Sequence, residues 1–177
     1  MKDDIKIAGH GGQGVVLAGS LIANAAMDQG LETCGMVSYG AEMRGGTANA
    51  TVIISDKPIG SPVVVNPTTA LILNEPSLKK FEESLVPGGI IIINTSECKK
   101  KVSRTDLEVV LIPATEIASE LGNKKATNMV MIGAYIKKRG IIDIQVAIKT
   151  LKRVLGKKPE LVEINQKALI KGAEQCM

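Results

Sequence analysis

The sequence predicts an α/β fold: a Rossmann-like three-layer domain with a mostly parallel sheet and helices on both faces. Three observations carry this expectation. Short apolar runs alternate with helix-length segments over two thirds of the 177 residues, the pattern of strands joined through helices. With two Tyr, one Phe and no Trp, the core must be built from Ile, Val, Leu, Ala and Met, the usual filling of a parallel sheet covered by helices. Between the first apolar run and the first helical segment stands a glycine-rich turn, Gly9-His10-Gly11-Gly12-Gln13-Gly14. At this length the chain reads most simply as one domain, residues 1–177.

Taken in order, Ile5–Ala8 is the first strand. Past the glycines a helix runs from Val15 to Asp28 and closes at Gly30. Thr33–Ser38 is the second strand, and Tyr39–Gly46 is too rich in glycine and charge for regular structure. Ala48–Ile54 alternates as a half-buried strand, ended by Asp56-Lys57-Pro58. Ala70–Leu73 is a short strand, and Glu75–Leu85 is a helix with Pro76 in its first turn. Pro87-Gly88-Gly89 turns the chain into Ile90–Asn94, whose run of isoleucines reads as a strand buried on both faces. Leu107–Ile112 is another strand, and Pro113 opens a helix that reaches Leu121 ahead of Gly122. Thr127–Lys138 is a helix ended by Gly140. Asp143 caps a segment that places Ile144, Ala147, Ile148, Leu151 and Leu155 on one face. Glu160–Glu174 is the last helix. If the first two strands are adjacent and parallel, the 9–14 and 39–46 loops open at the same carboxyl edge, where ligands bind in such folds.

Composition narrows the function classes. The start Met1-Lys2-Asp3-Asp4 leads straight into a strand, without the apolar stretch of a signal peptide. The Val15–Met27 run is interrupted by Ser20 and Asn24, and Met129–Ile136 is far shorter than the roughly 20 residues of a membrane span. A soluble, cytoplasmic protein with no membrane partner is expected. Cys34, Cys98 and Cys176 are widely spaced with no C-x-x-C, so no metal site, disulfide framework or iron–sulfur cluster is expected within this chain. The net charge is +4, with Lys137, Lys138, Arg139, Lys149, Lys152, Arg153, Lys157 and Lys158 set against the single acid Asp143. Such a run reads as a solvated helix face or as a docking surface for an acidic protein or phosphorylated cofactor. Without interleaved aromatics or a recognised motif it does not point to nucleic acid.

Gly9, Gly11 and Gly14 fit G-x-G-x-x-G, the turn that brings backbone N–H groups and a helix N-terminus to an anion. An NAD site also needs an acid at the end of the second strand. Thr33 to Ala41 contains none: Glu32 precedes the strand, Glu42 lies in the next loop, and Arg44 is late for an NADP site. The loop therefore reads as a close-packing turn, or as an anion, carboxylate or partner-backbone site on the N–H groups near residues 11–15. In the second loop Glu42 and Arg44 sit between Gly40 and Gly45-Gly46. A surface ion pair there is worth about 0–1 kcal/mol. The glycine frame favours a functional role, with Arg44 clamping a carboxylate or phosphate while Glu42 orients it. His10 is the only histidine, so no Ser/His or Cys/His triad can be assembled with a credible orienting partner. No catalytic residue is assigned.

Three segments in this order resemble one family: Gly9-His10-Gly11-Gly12-Gln13-Gly14, then Ser38-Tyr39-Gly40-Ala41-Glu42-Met43-Arg44-Gly45-Gly46-Thr47, then Thr127-Asn128-Met129-Val130-Met131-Ile132-Gly133. The chain resembles, from about Ile5 to its end, the gamma subunit of the 2-oxoacid:ferredoxin (acceptor) oxidoreductases, which also occurs as a domain of long single-chain pyruvate:ferredoxin enzymes. The resemblance implies a holoenzyme that oxidatively decarboxylates a 2-oxoacid to acyl-CoA and passes electrons to ferredoxin. It implies thiamine diphosphate with magnesium between alpha and beta subunits, and iron–sulfur clusters in beta and a ferredoxin-like delta subunit. None of these cofactors would be held by this chain alone. Coenzyme A would approach as substrate on the gamma side. By position, Gly11, Gly12, Gln13, Gly14, Tyr39, Glu42, Arg44 and Gly45 would face coenzyme A or the other subunits, and Asn128 would begin a helix in the domain or at its edge. Ala41 stands where proline is also common. The middle segment looks most like 2-oxoglutarate enzymes, with pyruvate and branched-chain 2-oxoacid enzymes close behind. The competing expectation is a free-standing NAD(P)-binding Rossmann-like domain.

Overall fold

In the computed structural model the described residues are 1–39, 46–156 and 159–176. The aliphatic runs form six strands: β1 (Lys2–His10), β2 (Glu32–Tyr39), β3 (Thr47–Ser55), β4 (Thr69–Ile72), β5 (Ile90–Asn94) and β6 (Glu108–Ile112). They make one sheet in the order β2-β3-β1-β4-β5-β6. The β1, β4, β5 and β6 strands run parallel, with Ile5 opposite Thr69, Thr69 opposite Ile90, and Ile90 opposite Glu108. β4 and β5 are buried along their whole length, as the unbroken apolar sequence requires.

The expectation that the first two strands are neighbours is corrected. β3 lies between them, antiparallel to both: His10 faces Thr47 and Tyr39 faces Ala48. The two strands still point the same way, because two antiparallel pairings restore the direction. The 9–14 and 39–46 loops therefore leave the same sheet edge, but because β2 and β3 form a hairpin laid alongside β1. Composition explains the order. β3 carries Ala48, Ala50, Val52, Ile53 and Ile54, all buried, and is the interior strand rather than the half-buried one expected. β2 carries Gly35 and Ser38, and its Met36 and Val37 are about half exposed, as suits an edge.

The helices are α1 (Val15–Asp28), α2 (Glu75–Phe81), α3 (Ala114–Glu120), α4 (Thr127–Arg139), α5 (Ile144–Leu155) and α6 (Pro159–Glu174). α2 is shorter than expected, its last turn being a 3-10 helix over Glu82–Ser84. Asn74 caps α2 through Ser77 N, and Asp143 caps α5 through Gln145 N. Both faces of the sheet carry helix, unequally. α1, α3, α4, α5 and α6 pack on the face of Ile5, Ile7, Val52, Ile54 and Ile92. α2 alone packs on the other, against Ala8, Ala70, Ile72, Ile91 and Ile93.

α4 is buried from Thr127 to Ile136 because α6 packs against it on the side away from the sheet. The two helices approach so closely that a Cβ on Gly133 would collide with the Leu169 carbonyl, and one on Gly172 with that of Val130. At the opposite end of β1 from the glycine loop, fully buried Asp3 accepts hydrogen bonds from Thr69 Oγ1 at 2.8 Å and Tyr135 OH at 2.9 Å. It also pairs with Arg139 at 3.1 Å, tying β1 and β4 to α4.

Candidate functional site at the glycine loop

Gly14 ends the loop in the left-handed region, φ 71, and no side chain caps α1 behind it. The first-turn N–H groups of α1 are thus left without a side-chain acceptor, the arrangement that suits an anion. Gly12 is also left-handed, φ 102, with no atom within 4 Å of where a Cβ would stand; its surface is open. A Cβ on Gly14, by contrast, would collide with Asn128 Nδ2. Asn128, buried at the start of α4, donates from that nitrogen to Gly14 O at 3.1 Å, while its Oδ1 is buried with no protein partner.

Two polar groups of the loop are used inside the chain. Gln13 accepts at Oε1 from His10 N at 2.9 Å and donates from Nε2 to Leu73 O at 3.2 Å. It staples the loop to the end of β4. Gly11 N donates to Gly46 O at 3.0 Å, joining the glycine loop to the hairpin. Behind this staple, buried Asn94 donates to the same Leu73 carbonyl at 3.2 Å and to Thr115 Oγ1 at 2.9 Å. These contacts make the carboxyl edge of β1, β4 and β5 one rigid ledge.

A cavity of about 400 Å³ opens on the ledge. His10, Gly12 and Gln13 form one wall, and buried Thr115 and Thr127 lie toward α3 and α4. Exposed Lys124 and Lys125 supply its charge, with Lys124 pairing to Glu97 at 3.3 Å. Sequence reading gave no site role to Lys124, Lys125, Thr115 or Thr127, although Thr127 opens the third of the family-resembling segments. A larger groove of about 560 Å³, lined by Ile136, Ile142, Ile144 and Ile170, lies between α4, α5 and α6. Lys137, Gln145 and Glu174 also line it, but it is mostly apolar and contains none of the glycine-loop residues.

Of the expected site residues, Gly11, Gly12, Gln13 and Gly14 stand together on the ledge, and Tyr39 ends β2 at the same edge. Glu42, Arg44 and Gly45 lie outside the described residues. The geometry differs from a dinucleotide-binding βαβ unit, in which the second strand lies beside the first. Here β2 is separated from β1, and Glu32 sits opposite Ser55, at the end of the sheet away from the glycines. The basic run is partly neutralised: Lys138 pairs with Glu108, Arg139 with Asp3 and Arg153 with Asp28.

Among the described residues no three His, Cys, Asp or Glu side chains gather to hold a metal. Burial, then Glu75 and Glu97, push the Cys98 thiol up to about 12, so it is not a ready thiolate ligand. Those residues do not fit an iron–sulfur cluster or a magnesium site. Among them, no helix is long and apolar enough to cross a membrane.

Comparison with known proteins agrees with this architecture. Residues 4–175 match the family described as pyruvate ferredoxin/flavodoxin oxidoreductase. The chain belongs to that family. Ketoisovalerate oxidoreductase subunit VorA of Methanothermobacter thermautotrophicus is 36% identical over 172 residues, 96% of this chain and 35% of that protein. The chain thus spans about a third of the length of this relative. 2-Oxoglutarate synthase subunit KorC of Methanothermobacter marburgensis is 34% identical over an alignment covering 100% of this chain and 98% of that protein. Among solved structures, the keto/oxoacid ferredoxin oxidoreductase gamma subunit of Geobacter sulfurreducens superposes with a TM-score of 0.83 at 29% identity, covering 98% of each chain.

Proposed function

We propose that this chain, residues 1–177, is the gamma subunit of a cytoplasmic multi-subunit 2-oxoacid:ferredoxin oxidoreductase, which converts a 2-oxoacid to acyl-CoA with electrons passing to ferredoxin. In this reading the chain is structural and lies on the coenzyme A side. Thiamine diphosphate, magnesium and iron–sulfur clusters belong to alpha, beta and delta partners, where they supply the decarboxylation and electron transfer. The observation that carries the reading is the family match over nearly the whole chain, with a gamma-subunit structure superposing over 98% of it.

The ledge supports a coenzyme A role for this chain's own residues. Gly12 leaves open room and Lys124 and Lys125 add positive charge around one cavity, offset in part by Glu97 on Lys124, while behind Gly14 the first turn of α1 presents uncapped N–H groups. Those are the elements a phosphate-bearing substrate requires. Gln13 serves there by holding the loop's shape. Tyr39, Glu42, Arg44 and Gly45 are assigned to the same role by the resemblance of their segment, with Tyr39 at the end of β2. Among substrates 2-oxoglutarate is favoured, because KorC is matched over almost its full length, with pyruvate or a branched-chain 2-oxoacid next.

The test is to purify the chain with its companion subunits and titrate it calorimetrically with coenzyme A and with NAD. Co-purification with thiamine- and cluster-bearing chains, and no micromolar NAD binding, is the expected result. Micromolar NAD affinity of the isolated chain, which joins no such assembly, would overturn the reading. Replacing Arg44 with alanine is expected to impair the coenzyme A step or assembly; unchanged kinetics in an unchanged complex would remove both roles from it.

A further inference from the structure

On the face that α2 covers, none of the described helices reaches β3 and β2. There a groove of about 220 Å³ is walled by strand residues Lys6, Met36, Asn49 and Thr51 and by Pro62 and Val63 of the segment that follows β3. Lys6 is half-buried in it. Its Nζ donates to Thr51 Oγ1 at 2.8 Å and Asn49 Oδ1 at 3.1 Å. An ammonium has three N–H groups, so one is left over, and among the described residues no carboxylate pairs with Lys6. A second cation adds to the imbalance: the Lys6 and Lys80 ammoniums lie 5.2 and 5.4 Å from the centroid of the same Phe81 ring. Burial, then the Lys80 charge, hold the Lys6 amine below its usual value. Among the described residues this half-buried cation meets two neutral oxygens and one aromatic face, which offset only part of its desolvation cost.

The groove walls are apolar and exposed. Met36 is 49% exposed and Val63 65%, and the outer edge of β2 pairs with no strand. A small anion would use the charge but not these walls.

We propose that this groove seats a peptide segment of a partner subunit, which lays apolar side chains on Met36 and Val63 and directs an Asp or Glu carboxylate onto Lys6. Charge complementarity carries the carboxylate, and the flanking exposed apolar surface carries the peptide around it. The inference rests on the reading of the chain as a subunit. It places one interface on the opposite side of the sheet from the α4–α6 layer, in addition to the glycine-loop edge.

The experiment uses the assembled complex. Zero-length carbodiimide cross-linking with peptide mapping is expected to join Lys6 to an Asp or Glu of another subunit. Acetylation of Lys6 by acetic anhydride is expected to slow about tenfold or more on assembly, and Lys6→Glu and Met36→Asp, each with an unchanged far-UV circular dichroism spectrum, to raise the assembly Kd by about tenfold or more. Met36→Asp alters a half-exposed wall and keeps the test alive if Lys6→Glu does not fold. An intact complex in which Lys6 is acetylated as fast as in the free chain overturns the inference and leaves the subunit reading standing. So does protection of Lys6 in the free chain by inorganic phosphate or coenzyme A alone, which would make the groove a small-anion site. A chain that joins no assembly overturns the reading and the inference together.

Discussion

Replacing Gly14 by alanine probes the coupling between the glycine loop and α4. Two separate costs are expected. An L-residue held at φ 71 loses about 1–2 kcal/mol relative to glycine. The new Cβ also meets Asn128 Nδ2, so the amide must move and give up its 3.1 Å bond to Gly14 O. Leaving that buried donor unpaired costs about 1–3 kcal/mol, for a sum of about 2–5 kcal/mol. Gly12→Ala isolates the first cost, since Gly12 has φ 102 with nothing within 4 Å of a Cβ, and is expected to lose only about 1–2 kcal/mol. Adding Asn128→Ala to Gly14→Ala removes the collision, so the double variant should be more stable than the sum of the single effects by about 1–3 kcal/mol. Urea unfolding followed by far-UV circular dichroism, extrapolated linearly to water, gives all four values. Equal losses for Gly12→Ala and Gly14→Ala, with an additive double variant, would refute the reasoning.

Four further outcomes can be checked. Asp3→Asn strands the Arg139 guanidinium beside a buried amide, and should cost about 3 kcal/mol in thermal unfolding; a change within error would show the pair is not stabilising. Burial and then the Asp3 carboxylate hold the Tyr135 phenol well above its ordinary range, so in a Tyr39→Phe variant, which keeps Tyr135 as its one tyrosine, no phenolate absorbance should appear near pH 10 until the fold opens. Cys98, buried with its thiol near 12, should resist a disulfide reagent at pH 8 more than Cys176, whose thiol burial also raises but Lys138 and Lys137 pull back; Cys98 reacting as fast as Cys176 would contradict this. For Glu82, burial pushes the carboxyl up, but Arg104 N at 2.9 Å, the Ser103 hydroxyl at 2.8 Å and Ser103 N outweigh it, and it lies below the ordinary 4.5. The stability it contributes is therefore present above pH 4.5 and is lost as pH falls through the folded value. The gap in stability between the native chain and Glu82→Gln should shrink on acidification; a gap constant from pH 7 to 3 would exclude the linkage.

Much of the fold was legible along the chain because its signals are local. The Val15–Asp28 helix and the Ile90–Asn94 strand have the bounds that periodicity and glycine punctuation give them. Gly140 and Asp143 end and begin helices as expected. At the site, the turn was legible from its glycines, and the missing acid after the second strand argued against NAD. Gln13 was ambiguous, because its two partners are His10 N next to it and Leu73 O on another strand. Lys124, Lys125 and Thr115 were invisible as site residues for the same reason: they reach the ledge only because β4 and β5 set α3 and α4 beside β1.

What the sequence determined by itself was the alternation of elements, the aliphatic core and the strand–turn–helix at residues 9–14, all of which follow from side-chain type and spacing. Tertiary structure decided the sheet order. Whether β2 or β3 lies beside β1 depends on which of two apolar strands loses more water when enclosed, a comparison between distant segments that no local pattern contains. That choice moved Glu32 away from the glycines and laid the hairpin beside them. It also left Lys6 and Met36 on an open face, where their charge and exposed surface acquire a role that their positions in the chain do not announce.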